Sequence, residues 1–262
     1  MKLQLVPART GVLWVRLGLR TFARQPLLLT ALFFMYVLLM TVVGMVPWLG
    51  SALILGLLPA ATLGFMAASK EISEGQVPRP QILLSAWRTS QQQVRAMLLL
   101  GVLYALSFLG IMWLSSLLDG GMFARFYLGG AALSAEQLQQ PAFMNAMLLA
   151  VTLNLPLSLL FWHAPALVHW HAVTPIKSLF FSIVACVRNM GAYSVYGLLW
   201  FALLMGFGMT LSVLVALVLG PDAALGAMLP VGALFMTLFF SSLYFTFRDS
   251  FIATEPATSA AP

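Results

Sequence analysis

Charged side chains are scarce in this sequence. Of its 262 residues, 8% are Asp, Glu, Lys or Arg, whereas 61% are hydrophobic, and the mean hydropathy is +0.98. A soluble globular protein carries about 25% charged residues, since its surface must be compatible with water. The shortage of charge therefore excludes a soluble globular protein, and the composition predicts an integral membrane protein.

Residues that carry catalytic chemistry are also few. The chain has one cysteine, Cys186, which excludes an intramolecular disulfide. It contains no P-loop, no Gly-x-Ser-x-Gly turn, no His-Glu-x-x-His and no Cys-x-x-Cys, which are sequence patterns of several large enzyme classes. We therefore predict no catalytic residue, no cofactor and no enzymatic activity.

Long apolar runs are what the sequence has in abundance. A transmembrane helix needs about 20 consecutive, mostly apolar residues. Because lipid offers the backbone no hydrogen-bond partner, only helices and closed barrels cross a bilayer. The predicted fold class is therefore all-α, a polytopic membrane helical bundle with six transmembrane helices. The predicted spans are 27–46, 51–68, 96–118, 142–162, 192–219 and 224–247.

Three amphipathic segments precede the first, third and fifth spans and are predicted to lie in the membrane interface. The first, at 7–24, places four arginines on one arc at 100° per residue. Apolar and small residues, including Trp14 and Val15, fall on the opposite arc. This pattern is typical of a helix whose basic side chains face anionic lipid headgroups. The predicted headgroup contacts are Arg9, Arg16, Arg20 and Arg24.

The order of interfacial helix, span, turn and span occurs three times, at about 7–69, 79–167 and 174–248. Either a threefold repeat or convergence on the same local requirements explains this plan. We treat residues 1–251 as a single membrane domain. Residues 252–262 are mostly small and polar, and we expect a disordered cytoplasmic tail there.

Basic residues are distributed unevenly between the two sides of the predicted bundle. Twelve of the thirteen Lys and Arg residues lie on the side that holds both termini, and Arg125 lies on the other side. Because positively charged segments stay in the cytoplasm, both termini are predicted to be cytoplasmic. This distribution accounts for the net charge of +6, so we expect no nucleic-acid partner. The expected partners are anionic phospholipids of the cytoplasmic leaflet.

Small residues recur at every fourth position of the second span. Such a stripe lets two helix backbones approach closely, and we favour this packing role over a substrate groove. The stripe serves equally inside one bundle and between protomers, so membrane-protein partners and self-association are both open. Its members are Gly56, Ala60, Gly64 and Ala68.

The predicted spans contain no Asp, Glu, Lys, Arg or His. Ionisable residues at membrane depth are typical of pumps and ion-coupled transporters, so their absence disfavours these classes. The fourth span does contain Asn154 and Pro156, and a helix broken at this proline would expose backbone groups that can bind a ligand. We take Asn154 and Pro156 as a candidate polar site. The alternative role of Asn154 is a hydrogen bond between helices.

All three histidines, His163, His169 and His171, lie between the fourth and fifth spans. In an extended segment, His169 and His171 would point to one side and could chelate a transition metal, with His163 or Cys186 as a third ligand. Haem ligation by His163 is a further alternative. The simpler interpretation is an aromatic and amphipathic belt at the cytoplasmic interface, because no carboxylate lies nearby to orient a metal site.

The third amphipathic segment, at about 174–188, carries three further polar side chains. Cys186 has apolar neighbours in the sequence and is expected to be a packing residue. Ser178 and Ser182 lie four residues apart, and we expect each hydroxyl to bond to the backbone of its own helix.

Several stretches together resemble a family of proteobacterial inner-membrane proteins found chiefly in betaproteobacteria. These stretches are Leu-Val-Pro-Ala-Arg at 5–9, Trp-His-Ala-Pro-Ala-Leu-Val at 162–168, Lys-Ser-Leu-Phe-Phe-Ser at 177–182, Arg-Asn at 188–189 and Tyr-Phe-Thr-Phe-Arg-Asp at 244–249. The resemblance implies an inner-membrane location and six spans, and it supplies no catalytic residue. The fourth span and the helix after it are also similar to the membrane domain of some glycerophosphodiester phosphodiesterases, whose hydrolase half is absent here.

Three hypotheses for the function follow from these observations. The first is a non-enzymatic membrane component that organises lipid or partner proteins through its basic interfacial helices. The second is a transporter or channel for a neutral or apolar solute, in which the proline and glycine positions of the spans move. The third is a metal- or haem-binding membrane protein, which depends on the histidines alone.

Overall fold

The computed structural model describes residues 2–252, except for the side chains of Pro221 and Leu225. The expected tail at 253–262 lies outside the described residues, whereas Ile252 belongs to a short strand. The elements are β1 Lys2–Leu3, α1 Thr10–Arg24, α2 Pro26–Gly44, α3 Gly50–Ser73, a 3-10 helix Pro80–Trp87, α4 Gln91–Asp119, α5 Met122–Gly129, α6 Ala135–Leu138, α7 Pro141–Phe161, α8 Ala164–His171, α9 Pro175–Arg188, α10 Met190–Leu219, α11 Pro221–Ser250 and β2 Phe251–Ile252.

Six candidate membrane spans are present among the described residues. They are α2, α3, α4, α7 together with α8, α10 and α11. Each is long and apolar enough to cross a bilayer, and strand structure within residues 2–252 is limited to the pair β1 and β2. The prediction of an all-α polytopic membrane bundle is therefore confirmed.

The start of the third span differs from the prediction. The second amphipathic segment is expected to be an interfacial helix up to Arg95 that ends in the glutamine run at 91–93. It forms only a 3-10 helix that ends at Trp87, and α4 begins at Gln91. The reason is a capping box: the Ser90 hydroxyl accepts from the backbone N–H of Gln93, and the Gln93 side chain bonds back to Ser90. The glutamine run therefore opens the span instead of closing an interfacial helix.

The described residues form two compact units. The first contains the chain up to Val37, Thr62–Ser85 and the chain from Val184 onwards, and the second contains Leu38–Ala61 and Ala86–Ile183. This grouping does not follow the three predicted hairpins. The physical reason lies in the first unit, where α1 packs against α10 and α11, which are distant in sequence.

The core of the first unit is built from apolar side chains near the start of α2 and the end of α3. Phe65 of α3 stacks on Phe240 of α11, with ring centroids 4.8 Å apart. Phe33 contacts both rings. The buried members of this cluster are Leu29, Leu32, Phe33, Phe65, Ala68 and Ile72.

The second unit is organised around α4, which packs along α7 and also contacts α5 and α8. Gly101 of α4 meets Gly56 of α3 so closely that a Cβ at Gly101 would overlap the Gly56 carbonyl oxygen. One member of the predicted small-residue stripe therefore mediates close helix packing inside this unit. Another member, Gly64, meets the backbone of Leu83 within the first unit.

Candidate functional site

Helix α1 has one face buried in the first unit. Its buried residues are Gly11, Trp14, Val15, Gly18 and Thr21. A Cβ at Gly11 would collide with the carbonyl oxygen of Ala192 in α10, and a Cβ at Gly18 would collide with Ser242 in α11. Four of the five buried residues belong to the predicted apolar arc, whereas Thr21 was not expected on it and Leu17 and Phe22 of that arc are only half-buried. This face packs against protein and not against lipid.

A half-buried hydrogen bond links the same face of α1 to the end of α11. The indole Nε1 of Trp14, which is 0% exposed, donates to Oδ2 of Asp249 over 3.0 Å. Asp249 also accepts from Nε of Arg248 over 2.7 Å. Charge-assisted bonds of this kind are roughly twice as strong as neutral ones, so Asp249 sets the rotation of α1 about its axis.

The N-terminal strand is fixed by an asparagine at the end of α9. Strand β1 pairs antiparallel with β2. The Asn189 side chain accepts from the backbone N–H of Val6 over 2.9 Å and donates to the carbonyl of Gln4 over 3.0 Å. In the sequence, Asn189 belongs to the Arg-Asn pair at 188–189 that carries part of the family resemblance, but its contacts with the N-terminal segment were not predicted. These bonds hold the segment that precedes α1 against the end of α9.

The opposite face of α1 carries the predicted headgroup residues. Arg9, Arg16, Arg20 and Arg24 are all exposed. Two apolar side chains lie between them, Val12 at 43% and Leu13 at 42% exposure. A mixture of exposed arginine and exposed aliphatic side chains suits the membrane interface better than bulk water, because guanidinium groups reach the headgroups while the stems stay in apolar surroundings.

Arg24 differs from the other three arginines. Its Nη1 lies 3.4 Å from the carbonyl oxygens of both Ile72 and Ser73, at the end of α3. Arginine side chains commonly bond to the last carbonyls of a helix in this way. In the part of the chain that the structure describes, Arg9, Arg16 and Arg20 have no ion pair within 4.0 Å and no such hydrogen bond. These three guanidinium groups are therefore the ones able to bind an external anion.

The histidine segment does not have the extended geometry that chelation would need. His169 and His171 lie within α8, where residues two apart point about 200° away from each other. His163 precedes α8 and is 0% exposed. Among residues 2–252, no group of three or more His, Cys, Asp or Glu side chains is placed to hold a metal ion. The extended geometry that the metal-binding alternative required is therefore not found in this segment, because it is helical, whereas the simpler interpretation of an aromatic and amphipathic belt stays a prediction.

Cys186 is buried, as expected for a packing residue. Burial raises the pKa of its thiol to about 12, and a hydrogen bond with Tyr193 opposes this shift only in part. The thiol is therefore protonated at neutral pH. Since the thiolate is the form that binds metals and reacts, this environment makes Cys186 chemically inert.

The chain breaks helical structure at Trp162 and His163, between α7 and α8. The buried Ser182 hydroxyl on α9 accepts from the backbone N–H of His163 over 2.9 Å and donates to the carbonyl of Leu159 over 2.7 Å. The expectation that Ser182 bonds to its own helix is wrong, because the break supplies backbone groups that need partners. The expectation for Ser178 is met, since its hydroxyl donates to the Pro175 carbonyl over 2.7 Å.

The fourth span is not broken at Pro156. Helix α7 continues from Pro141 to Phe161 with Pro156 inside it, because a single proline removes only one backbone hydrogen bond and membrane helices tolerate this. Asn154 is half-buried, and its Nδ2 donates to the Ala150 carbonyl over 3.0 Å within the same helix. The predicted site at a broken span is therefore absent. The alternative role of Asn154, a hydrogen bond between helices, is not seen for its Nδ2 group, which bonds within α7. Asn154 instead lines a cavity considered below.

The fold and its exposed arginine surface define a class, that of polytopic α-helical membrane proteins. Over 265 aligned residues, which cover 100% of this chain and 98% of the relative, the chain is 40% identical to a probable inner membrane protein of Burkholderia thailandensis. The chain therefore belongs to the family of this protein, and it is a multi-pass inner-membrane protein. No family model and no solved structure matches the chain.

The resemblance to a family of inner-membrane proteins is thus confirmed for a Burkholderia relative. Similarity to the membrane domain of glycerophosphodiester phosphodiesterases is not shown by these comparisons and stays a prediction.

Proposed function

We propose that the protein is a non-enzymatic component of the inner membrane whose helix α1 binds anionic phospholipid headgroups. The observation that carries this proposal is the two-sided character of α1. One side is buried against α10 and α11, and the other presents exposed arginines at a fixed orientation. Packing against α10 and α11 thus gives the basic surface a defined orientation.

The charges of the surface favour an anionic partner. Arg9, Arg16 and Arg20 are not neutralised by a carboxylate within the described residues, and each basic residue near an anionic leaflet contributes about 1 kcal/mol of attraction. The exposed Val12 and Leu13 between them favour a lipid over a free phosphate, since aliphatic side chains gain nothing from a small hydrophilic anion.

Orientation is part of the same proposal. The termini face the cytoplasm, where anionic lipid and the basic segments attract each other. The support is the distribution of charge, because twelve of the thirteen basic residues share the side of both termini. A green fluorescent protein fused to the C-terminus should then be fluorescent, and alkaline phosphatase at the same position should be inactive, since it needs periplasmic disulfides. The reverse pattern would place α1 at the periplasmic leaflet and contradict the proposed orientation.

The lipid proposal is tested by the triple change Arg9→Gln, Arg16→Gln and Arg20→Gln. Purified protein is titrated with phosphatidylglycerol and with phosphatidylcholine, and bound lipids are counted by native mass spectrometry. At about 1 kcal/mol per arginine, each lost charge should weaken phosphatidylglycerol binding about fivefold. Phosphatidylcholine binding should change little.

Two single variants provide a charge-matched control. Arg16→Gln and Arg125→Gln remove the same charge, but Arg125 lies on α5, on the side opposite to the termini in the predicted topology. Only the first should weaken phosphatidylglycerol binding. Equal losses in both variants, or unchanged binding in the triple variant, would mean that α1 is not the lipid-binding surface.

A further inference from the structure

A cavity of about 360 Å³ lies in the second unit, between α4, α5 and α7. Its volume falls within the range of about 300–1,000 Å³ that is usual for small-molecule sites. Aromatic rings form much of its wall. Phe108 and Tyr127 lie 5.8 Å apart between centroids, and Phe123 and Tyr127 lie 5.9 Å apart. The wall is therefore held by ring contacts among three side chains from two helices.

The lining carries polar groups but no charge. Asn154 and Ser158 of α7 contribute an amide and a hydroxyl, and Tyr104 and Tyr127 contribute phenol groups. Among the described residues, no Asp, Glu, Lys, Arg or His lines the cavity. An asparagine side chain offers two donors and one acceptor group. The bond to Ala150 uses one donor. Among the described residues the Asn154 side chain makes no other hydrogen bond, so a second N–H and the carbonyl oxygen can serve a ligand.

The position of Asn154 along α7 restricts the ligand further. It lies thirteen residues after Pro141 in a helix of 21 residues, which places it about 20 Å from the start and about 10 Å from the end of the helix. At this depth the hydrocarbon core supplies no hydrogen-bond partner, and a charged headgroup is strongly disfavoured. The part of a ligand that lies at Asn154 must therefore be neutral.

Access to the cavity is lateral. Val151 and Leu155, which line it, are 54% and 63% exposed, and both belong to a candidate span. A surface exposed at span depth faces hydrocarbon or another membrane component. The ligand accordingly enters from the bilayer and must itself be soluble in lipid.

We propose that this cavity binds the hydrocarbon chain of a neutral amphiphile, whose hydroxyl or ester group hydrogen-bonds to Asn154. Aromatic walls accept the chain, and the uncharged amide selects the neutral group. This site is separate from the arginine surface of α1, and neither proposal depends on the other.

The test uses 1-palmitoylglycerol with a diazirine in the middle of its acyl chain. The full-length protein is placed in phosphatidylcholine nanodiscs, irradiated and digested, and the labelled peptides are identified by mass spectrometry. Labels should concentrate in α4, α5 and α7 around Phe108 and Phe123. Unlabelled 1-palmitoylglycerol should compete, and unlabelled phosphatidylglycerol at the same concentration should not.

Three variants distinguish the cavity from general lipid contact. Asn154→Leu removes the amide and should lower labelling about 5- to 30-fold, since two hydrogen bonds of about 0.5–1 kcal/mol each are lost. Val151→Trp should block the opening and also abolish most labelling. Leu148→Trp is the matched control, because Leu148 is exposed on the same helix and does not line the cavity.

Three outcomes would overturn the proposal. Labels spread evenly over the exposed faces of α7 and α10 would indicate annular lipid alone. Equal competition by phosphatidylglycerol would remove the neutral specificity, and unchanged labelling in Asn154→Leu would remove the polar contact. Because a misfolded variant would also lose labelling, each variant must elute as a single species in size-exclusion chromatography and keep the wild-type helix content.

Discussion

Gly101→Ala is expected to destabilise the protein strongly, whereas Gly56→Ala is expected to be tolerated. The two glycines face each other, but their contact is asymmetric. A Cβ at Gly101 would overlap the carbonyl oxygen of Gly56, which belongs to a helix backbone and cannot rotate away. A Cβ at Gly56 would lie 3.7 Å from the carbonyl oxygen of Gly101, an ordinary van der Waals distance.

The two substitutions are expected to change the stability of the protein in opposite directions. Overpacking typically costs about 1–3 kcal/mol and more where backbone must move, and this loss exceeds the gain of about 1 kcal/mol that alanine brings over glycine within a helix. At Gly56 only the gain remains. Thermal unfolding in detergent, followed by the loss of monodisperse protein, should give a lower midpoint for Gly101→Ala and an unchanged or higher midpoint for Gly56→Ala.

A third variant separates steric overlap from any general effect of glycine replacement in a span. Outside the backbone of its own helix, Gly197 of α10 has no described heavy atom within 4 Å of the position that a Cβ would take. Gly197→Ala should therefore behave like Gly56→Ala. Similar midpoints for all three variants would contradict the close approach of α3 and α4 at Gly101.

The small-residue stripe shows how far the sequence predicts packing. The spacing of Gly56 and Gly64 correctly indicated close helix contacts. It could not indicate the partners, which are Gly101 in the second unit and Leu83 in the first. A four-residue spacing defines a face of one helix, and the partner depends on how distant parts of the chain pack. Self-association through other surfaces stays a prediction.

Helix α1 illustrates a second limit. The arc of arginines and the apolar arc were both predictable, because helical periodicity alone decides which residues share a face. That the apolar arc packs against protein was not predicted, since lipid and protein interiors select the same side chains. Gly11 and Gly18, seven residues apart on this arc, were the available signal: lipid has no need of glycine, whereas a neighbouring backbone does.

The candidate sites were predicted less well than the spans. Asn154 was selected for a broken helix, yet α7 is continuous, and its interest now lies in the cavity that it lines. The histidines were selected for an extended segment, yet α8 is helical. In both cases the residue type was informative, but its chemistry depended on backbone geometry that a short motif does not determine.

The two serines of α9 have different hydrogen-bond partners, and this difference leads to a prediction with a large expected effect. Both are buried, with 0% exposure, and lie one turn apart. Ser178 bonds within its own helix, while Ser182 bonds to two backbone groups at the junction of α7 and α8. Their spacing in the sequence predicted the same role for both serines. Comparing their alanine variants therefore isolates how much the bonds at the junction of α7 and α8 contribute to stability.

Ser182→Ala should lower the free energy of unfolding by about 2 kcal/mol or more. The change removes both hydrogen bonds from a site closed to water, and each buried polar group that loses its partner costs about 1–3 kcal/mol. Ser178→Ala should cost less than about 1 kcal/mol, because a serine bond to its own helix adds little and can itself slightly destabilise the helix.

The two variants should also differ in where they loosen the protein. Hydrogen exchange measured by mass spectrometry in detergent should rise in Ser182→Ala for peptides around 159–167, which contain the His163 N–H and the start of α8. In Ser178→Ala these peptides should exchange as in the wild type. If both variants exchange alike at the junction, the Ser182 hydroxyl does not hold it together, and the break between α7 and α8 must be stabilised by the packing of the buried His163 and Leu167 side chains instead.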